Sequence, residues 1–363
     1  MIKPIVVMSL FDGISAGQVA LERAGIPVEV YYASEIDKYA ISVTMKNYPN
    51  TIQLGDVEKI DFTQYEGKID LLIGGSPCTN LSICGNRKGL EGDESRLFWE
   101  YVRAIKECKP KYFLLENVES MSDKDKEIIS KELGCYPIMI NSSLLSAQNR
   151  KRYYWFNWGD KYYNLFGFPT CDIPLPKDKG ILLKDILESG IAPDEKSRAV
   201  ISSIGRTTTR EYFKKNQGQM VAEKYLFKYL KSTNEKSNAL TSSSYKGVGN
   251  AGMSTVSIPV RLSEYEKSKG QAQRVYSVNA KTIAINANGG GQGGKTGLYK
   301  IDLPDRDYII RKLSPVECER LQTFEDGYTS GISNSQRYKC IGNSWTVDVI
   351  AYIFSFLKIE LDK

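Results

Sequence analysis

The sequence predicts an α/β fold organised around a largely parallel sheet, and three observations support this. Short apolar runs alternate with helical segments through the first half of the chain, and polar turns that contain glycine follow the runs. The run at residues 69–73 is apolar at four of its five positions, which is typical of a strand buried on both faces. Two glycines and Pro77 then end it abruptly, which places Cys78 at the carboxyl end of a central strand, where open α/β sheets bind their ligands.

A strand, a turn and a helix begin the chain. Residues 4–10 form the first predicted strand, and a turn at 11–17 leads into a helix at 18–24. A glycine-containing turn between a strand and a helix is the place where backbone N–H groups approach a nucleotide or a similar cofactor. The turn is therefore a candidate cofactor loop, although its spacing is not G-x-G-x-x-G.

Two further turns supply carboxylates to the same edge of the sheet. A second strand at 28–33 ends at Glu35, a helix at 37–46 follows, and a third turn carries Asp56. Because the carboxyl ends of parallel strands share an edge, Phe11, Glu35 and Asp56 are predicted to line one cofactor pocket. Phe11 would stack on a base, Glu35 would accept hydrogen bonds from a ribose diol, and Asp56 would accept one from an exocyclic amine.

The segment after Cys78 reads as a loop, a helix and a strand that ends in a carboxylate. Residues 79–96 are polar and hold three glycines, so they are predicted to be a mobile loop that closes over a substrate. A helix at 97–108 and a buried strand at 111–115 follow. Glu116 ends that strand, one strand over from Cys78.

The same patterns predict the remaining elements. A helix at 123–133, a strand at 136–140 and an aromatic strand at 153–158 complete the first half. Regular alternation fades after Cys171 and returns at Ser314, a predicted N-cap. A helix to about Phe324, a tight turn at 338–345 and a closing helix at 346–357 follow, and the closing helix is predicted to pack against the first strand.

Composition excludes several classes of chemistry. The chain has 363 residues and no histidine, which excludes Ser-His, Cys-His and His-metal mechanisms. Its seven cysteines are never spaced as C-x-x-C, which argues for a reducing compartment and against a zinc site. No apolar run approaches the ~18 residues that span a bilayer, and the amino terminus lacks a signal-peptide pattern. We therefore expect a cytoplasmic protein without a metal or a membrane anchor.

Charge is distributed unevenly along the chain. The formal net charge is +6, but residues 196–300 hold 18 Lys and Arg against 5 Asp and Glu and so carry +13. A mildly acidic body with a strongly basic segment predicts that the segment meets a polyanion.

One stretch of the basic segment imitates a nucleotide-binding motif. Residues 289–296 fit the pattern G-x-x-x-x-G-K-[ST] letter for letter, but such a loop needs a helix directly after it. The residues that follow read as strand or turn, so ATP or GTP binding is disfavoured.

The order of these motifs resembles that of the cytosine-C5 DNA methyltransferases over nearly the whole chain. The matching residues are Ser9 to Gly13, Glu35, Gly55–Asp56, Gly75 to Cys78, Glu116 to Val118, Gln148 to Arg152, Arg311 to Pro315, Arg320 to Phe324 and Gly342 to Ser344. The Pro-Cys, Glu-Asn-Val, Gln-x-Arg-x-Arg and Gly-Asn-Ser set, in this order, is highly specific. The Ser-Pro-Cys and Asn-Ser-Trp-Thr-Val forms look most similar to phage enzymes and to the catalytic domain of animal de novo methyltransferases.

The resemblance implies catalytic roles for four residues. Cys78 attacks C6 of the target cytosine as a thiolate, and Glu116 holds the N3 and N4 edge so that C5 becomes nucleophilic. Arg150 and Arg152 orient the base or an anion beside the cysteine. The methyl group comes from S-adenosylmethionine, and the cytosine is flipped out of the duplex.

The resemblance also implies a cofactor pocket. Its residues would be Phe11, Asp12, Gly13, Ile14, Ser15, Ala16, Glu35, Ile36, Asp56, Val57, Pro77, Leu97, Asn343, Ser344 and Trp345. Two departures from the family pattern fall here. Ser15 and Ala16 replace two glycines, and Ile36 stands where many members have an aromatic residue that packs on the adenine.

The implied fold is a Rossmann-like class I S-adenosylmethionine-dependent methyltransferase with a mixed seven-stranded sheet. Residues 1–170 and 304–363 would form the catalytic domain, and residues 171–303 an inserted target-recognition domain that includes the basic segment. The implied partner is double-stranded DNA, bound by a monomer, with a cognate restriction endonuclease as an optional second partner.

Three other activities are compatible with parts of this sequence. Methylation of an exocyclic amine uses an Asn/Asp/Ser-Pro-Pro-aromatic motif and no nucleophile, which Cys78 and Glu116 argue against. The intact catalytic set disfavours a non-catalytic DNA-binding relative. A tRNA cytosine-C5 methyltransferase shares the active-site motifs and stays the alternative, although the long basic insert favours duplex DNA.

Overall fold

The computed structural model describes residues 2–76, 96–163, 169–192, 194–206, 219–224, 261–264, 274–277, 298–303 and 306–362. The chain divides into two compact units. One comprises Met1–Ile186, Asp194–Ile204 and Ser314–Lys363, and the other comprises Leu187–Pro193 and Gly205–Leu313.

Within the described residues, the first unit is built on a mixed seven-stranded sheet. Its strands are β1 (Ile5–Leu10), β2 (Val28–Ser34), β3 (Ile52–Gln53), β4 (Leu71–Gly74), β5 (Tyr112–Val118), β6 (Ile138–Asn141) and β7 (Lys151–Phe156). They lie in the order β3-β2-β1-β4-β5-β7-β6, and β7 alone runs antiparallel to its neighbours. This confirms the predicted Rossmann-like sheet. The strand order reverses between β1 and β4, and such a switch point is where open sheets bind ligands.

Helices follow most strands of this unit. They are α1 (Ala16–Ala24), α2 (Lys38–Asn47), α3 (Arg96–Cys108), α4 (Asp123–Leu133), the single turn α5 (Leu183–Ile186), α6 (Pro315–Leu321), α7 (Asn334–Asn343) and α8 (Val347–Leu361). Local side chains fix where they begin. Asp37 accepts the N–H of Tyr39 at 2.9 Å at the start of α2. Ser314, the predicted N-cap, forms a capping box with Glu317 at the start of α6.

The sheet is buried on both faces by alternating side chains. In β1, Ile5 and Val7 belong to one apolar cluster, and Met8 and Leu10 belong to another. The first cluster includes residues of α1 and α8, and the second includes residues of α3 and α4. The closing helix α8 packs mainly against α1, whereas the sequence predicts the first strand as its partner. The stretch Asn334–Leu361 is long and apolar enough to cross a membrane, but 61% of its most apolar window is buried inside the fold, as in a core helix.

One predicted turn is wrong. Residues 338–345 do not form a tight turn, because α7 continues through Asn343. Gly342, which suggests a turn in the sequence, instead permits a close approach. A Cβ atom there would lie 2.2 Å from the carbonyl carbon of Ile201, so the glycine lets another segment cross the helix.

Two strands extend further towards the site than the sequence predicts. Glu116 lies within β5 rather than after it, and β7 begins at Lys151 and so includes Arg152. The regular pairing of the two strands therefore fixes the backbone of both residues. The helix predicted to reach Phe324 ends earlier, at Leu321.

A hairpin and a second sheet complete the described chain. The hairpin, β8 (Asp160–Tyr163) and β9 (Pro169–Asp172), belongs to the first unit. The second unit holds β10 (Met220–Lys224), β11 (Arg261–Glu264), β12 (Arg274–Ser277), β13 (Leu298–Leu303) and β14 (Arg306–Lys312), in the order β10-β14-β13-β12-β11. Residues 289–296 lie outside the described residues, and the segment after them is the strand β13, as the sequence predicts.

The boundaries between the two units differ from those of the predicted domains, 1–170 with 304–363 and 171–303. Residues 171–186 and 194–204 group with the first unit. The Lys196 ammonium donates to the carbonyl oxygens of Ser143 and Ile181, at 2.8 and 2.6 Å. Side-chain contacts with backbone carbonyls leave no pattern in the sequence, so the boundaries that the resemblance implies include this segment in the inserted domain.

The buried carboxylate of Glu319 allows a test of how the segment after α6 packs. Glu319 is fully buried, pairs with Arg337 at 2.9 Å and accepts the N–H groups of Gly327 and Thr329. Glu319→Ala should lower the free energy of unfolding by about 3–5 kcal/mol, because it leaves a largely buried guanidinium unpaired. Asp326→Ala, which removes an exposed ion pair nearby, should cost less than about 1 kcal/mol. Equal losses in chemical denaturation would contradict the packing role.

Candidate active site

A cavity of about 610 Å³ opens where the strands of the first unit end. The predicted cofactor residues that line it are Phe11, Gly13, Glu35, Ile36, Asp56, Val57, Leu97 and Asn343, and the predicted catalytic residues that line it are Glu116, Arg150 and Arg152. The residues predicted for the cofactor and for the base therefore share one space. Pro77, Cys78 and nearly all of the predicted closing loop lie outside the described residues.

The carboxylate of Glu116 is held by donors from two distant parts of the chain. Arg152 Nε donates to Oε1 at 2.8 Å, and Trp345 Nε1 donates to Oε2 at 3.2 Å. The antiparallel pairing of β5 with β7 sets Arg152 opposite Val118, two residues along the strand from Glu116. The Glu116 side chain is 11% exposed, so the cavity receives an oriented, mostly desolvated carboxylate whose charge a guanidinium balances.

Arg150 holds the wall of the cavity. It is buried, and its guanidinium donates to the carbonyl oxygens of Val200 at 2.7 Å and Ser344 at 3.0 Å. Those carbonyls belong to the 194–204 segment and to the Gly-Asn-Ser motif. Arg150 therefore joins both segments to the start of β7, a positioning task beside its predicted role of orienting a base or an anion.

Asn117 fixes the turn that leads to the predicted nucleophile. Its Nδ2 donates to Ser76 Oγ at 3.1 Å, and its Oδ1 accepts the N–H of Val118 at 2.8 Å. Ser76 is the last described residue before Pro77 and Cys78, and it lines the same cavity as Glu116.

Glu35 anchors the loop after β1, the predicted cofactor loop. Its Oε2 accepts the N–H of Gly13, and its Oε1 accepts the N–H groups of Ile36 and Asp37, each at 2.8 Å. A carboxylate offers about four lone-pair positions, so acceptor capacity is left for a ligand hydroxyl. The neighbouring Ile36 side chain is 76% exposed and gives the cavity an apolar surface.

A buried polar network supports the loop from behind. The Tyr31 hydroxyl donates to Asp12 Oδ1 at 2.8 Å, and the Ser15 hydroxyl donates to Asp12 Oδ2. Thr44 and Gln18 donate in turn to Ser15 Oγ, at 3.1 and 3.2 Å. Burial raises the pKa of Asp12 to about 6, although hydrogen bonds from three hydroxyl groups act to lower it.

Some predicted residues lie outside the lining of the cavity, and some lining residues were missed. The predicted residues outside the lining are Asp12, Ile14, Ser15, Ala16, Ser344 and Trp345. Ser202 and Ser203 line the cavity although the sequence assigned them to the recognition domain. Their approach depends on the pairing of Ser197–Arg198 with Gln148–Asn149, a tertiary contact without a periodic signal.

The first unit has the fold of the class I methyltransferases. Solved methyltransferase structures share the fold. The Entamoeba histolytica methyltransferase EhMeth matches with a TM-score of 0.57 and 15% identity, and the S. pombe Dnmt2 methyltransferase with 0.53 and 14%. Each match covers 99% of this chain and 100% of the other, and at these identities it concerns the fold alone.

Within that class, the chain belongs to the C-5 cytosine-specific DNA methylase family, which it matches over residues 5–358. The orphan methyltransferase M.SPRI of Bacillus phage SPR is 29% identical to this chain, and the match covers 97% of each of the two chains. The type II methyltransferase M.HhaI of Haemophilus parahaemolyticus is 29% identical over 95% of this chain and 92% of its own length. The predicted family and enzyme class, DNA (cytosine-5-)-methyltransferase, are confirmed.

Asp12→Asn should change the pH dependence of stability. Because the pKa of Asp12 is raised from 3.8 to about 6, the native state binds more protons than the unfolded chain in that window. Wild-type stability therefore falls there as pH rises, and the variant lacks this loss. Between about pH 4 and about pH 7, the free energy of unfolding of the variant should rise relative to that of the wild type. The difference should reach at most about 3 kcal/mol, at ~1.4 kcal/mol per pKa unit. Urea denaturation at stepped pH measures the difference.

Asp37→Asn is a control of opposite sign. Burial acts to raise the pKa of Asp37, but the hydrogen bond from Lys339 at 2.6 Å and the N–H of Tyr39 outweigh it, and the pKa is lowered. The stability that this group contributes is present above the unfolded pKa and is lost as pH falls. If both variants changed with pH in the same direction, the burial argument for Asp12 would be wrong.

Proposed function

We propose that this protein transfers a methyl group from S-adenosylmethionine to C5 of a cytosine flipped out of a specific duplex DNA sequence, through a covalent adduct between Cys78 and C6. The observation that carries the proposal is the cavity that Glu35 and Asp56 share with Glu116 and Arg152. Direct transfer between two molecules requires that both lie in one space in reactive contact.

The residues on the cofactor side fit S-adenosylmethionine. Glu35 keeps acceptor capacity for ribose hydroxyls, Asp56 offers a carboxylate for the adenine amine, and Phe11 and Ile36 offer apolar surfaces for the adenine ring. When bound, this cofactor supplies an electrophilic methyl group.

The residues on the base side fit the edge of a cytosine. Glu116 would hold N3 and the N4 amino group, and Arg152 keeps the carboxylate oriented. Cytosine C5 is a poor nucleophile, so addition of the Cys78 thiolate to C6 must precede methyl transfer. A cysteine with a reference pKa of about 8.5 supplies thiolate without a histidine. Loss of the C5 proton and departure of the cysteine then restore the aromatic ring.

The basic segment supports duplex DNA as the substrate. Its net charge of +13 predicts phosphate contacts and a steep dependence of binding on salt. We place target recognition within residues 171–303, much of which forms the second unit. The bacterial and phage relatives support a location in the cytoplasm of a prokaryotic cell or an infected host. We propose that the enzyme acts as a monomer, with or without a partner endonuclease.

Bisulfite sequencing of DNA and RNA from expressing cells identifies the base and its sequence context. We expect protected cytosines at one short sequence in DNA. Protection confined to RNA would make the protein a tRNA-type cytosine methyltransferase and would overturn the proposed substrate.

Covalent trapping tests the chemistry. A target duplex that carries 5-fluorocytosine should form a denaturation-stable adduct with the wild type, because fluorine does not leave C5 as the proton does. Cys78→Ala should abolish the adduct with little loss of duplex affinity, and Glu116→Gln should slow it by about 100-fold or more. Cys108→Ala is the matched control, because that thiol is fully buried and burial raises its pKa to about 11. An adduct formed by the Cys78 variant would exclude the covalent mechanism.

Binding of S-adenosylhomocysteine tests the cofactor pocket by calorimetry. Glu35→Ala should weaken it by at least about ten-fold, because hydrogen bonds to a charged group are lost. Ile36→Trp should strengthen it, because a larger flat surface buries more of the adenine. Ile359→Trp changes an isoleucine of α8 that is 54% exposed and outside the cavity lining, and it should leave the affinity unchanged. Wild-type affinity in Glu35→Ala would remove Glu35 from the cofactor site.

A further inference from the structure

The indole of Trp345 lies behind the catalytic carboxylate, although the resemblance assigns this residue to the cofactor. Trp345 is absent from the residues that line the cavity. Its ring packs against the apolar cluster that contains α1 and α8. Its Nε1 donates to Glu116 Oε2 at 3.2 Å.

Gly75 leaves the space that this hydrogen bond requires. A Cβ atom at Gly75 would lie 2.8 Å from Trp345 Nε1 and 3.0 Å from Glu116 Oε2, which is closer than side chains normally approach. The turn after β4, the strand β5 and the residues before α8 therefore converge on one contact. A larger residue at this turn would push the indole and the carboxylate apart.

The two oxygens of Glu116 have partners of different kinds. Arg152 supplies a charged donor to Oε1, and Trp345 supplies a neutral donor to Oε2. With one donor on each oxygen, the carboxylate cannot rotate about its last C–C bond without losing a hydrogen bond. An indole N–H is only a donor and carries no charge, so it orients the carboxylate without adding a second cation beside the base.

We propose that Trp345 is a positioning residue for the target cytosine. Its indole N–H holds Oε2 of Glu116 while Arg152 holds Oε1, and the fixed carboxyl group meets the N3 and N4 edge of the flipped base. This inference rests on the proposed function, and it assigns Trp345 an action through Glu116 rather than through S-adenosylmethionine.

Trp345→Phe tests the proposal, because it keeps an aromatic ring in the apolar cluster and removes the N–H. In single-turnover trapping on the 5-fluorocytosine duplex, with saturating S-adenosylmethionine, the adduct should form about 10- to 100-fold more slowly. The same loss should appear in kcat on ordinary duplex. KM for the cofactor and affinity for the duplex should stay at their wild-type values.

Trp158→Phe is the matched control. It removes an indole N–H that donates to the carbonyl of Ile353 at 3.3 Å, within the apolar core and outside the cavity lining. Both variants lose a hydrogen bond of similar length, so their melting temperatures should fall by similar amounts. Only Trp345→Phe should trap slowly.

Three results would contradict this inference or the proposed function on which it rests. Wild-type trapping by Trp345→Phe, even with a lowered melting temperature, would make the role purely structural. A raised KM for the cofactor with unchanged kcat would make Trp345 a cofactor residue. If the wild type itself formed no adduct, the proposed function would fail. If the wild type formed the adduct and Trp345→Phe formed it at the same rate, only the inference about Trp345 would fail.

Discussion

A buried amide network holds together the parts of the chain that build the site. Gln148 Nε2 donates to Gln322 Oε1 at 2.8 Å, and the Thr346 hydroxyl donates to the same oxygen at 2.8 Å. All three side chains are almost completely buried, so each lost partner would cost about 1–3 kcal/mol. The network fixes the residues just before β7, the end of α6 and the N-cap of α8 relative to one another. Arg152, in β7, and Trp345, next to Thr346, can therefore meet one carboxylate.

The site then consists of two halves with separate supports. On the side predicted for the cofactor, Glu35 and the network behind Asp12 hold the loop after β1. On the side predicted for the base, the amide network and Arg150 hold the donors that surround Glu116. The halves meet at the ends of the central strands, where the order of the sheet reverses. Buried hydrogen bonds therefore hold both the loop after β1 and the surroundings of Glu116.

Much of this could be predicted from the sequence, for a physical reason. Buried strands show as apolar runs, and residues at their carboxyl ends lie at one edge of a parallel sheet, so the sequence predicts that Glu35, Asp56 and Glu116 lie at that edge, and all three line the cavity. The approach of Ser202 and the contact of Trp345 with Glu116 depend on tertiary packing, which has no period. Gly342 shows the same limit. Its sequence context suggests a turn, whereas in the fold it lies in a helix and leaves room for the segment at Ile201. A glycine in the sequence does not distinguish these two roles.

The loop after β1 shows how one departure from the family pattern is accommodated. Ser15, which replaces a glycine, has a φ of 57°, and the left-handed region costs a residue with a side chain roughly 1–2 kcal/mol. Its hydroxyl offsets that cost, because it donates to Asp12 and accepts from Thr44 and Gln18. A glycine would adopt the same backbone without strain but would leave those buried donors without this acceptor. The serine therefore helps to hold the loop in one conformation.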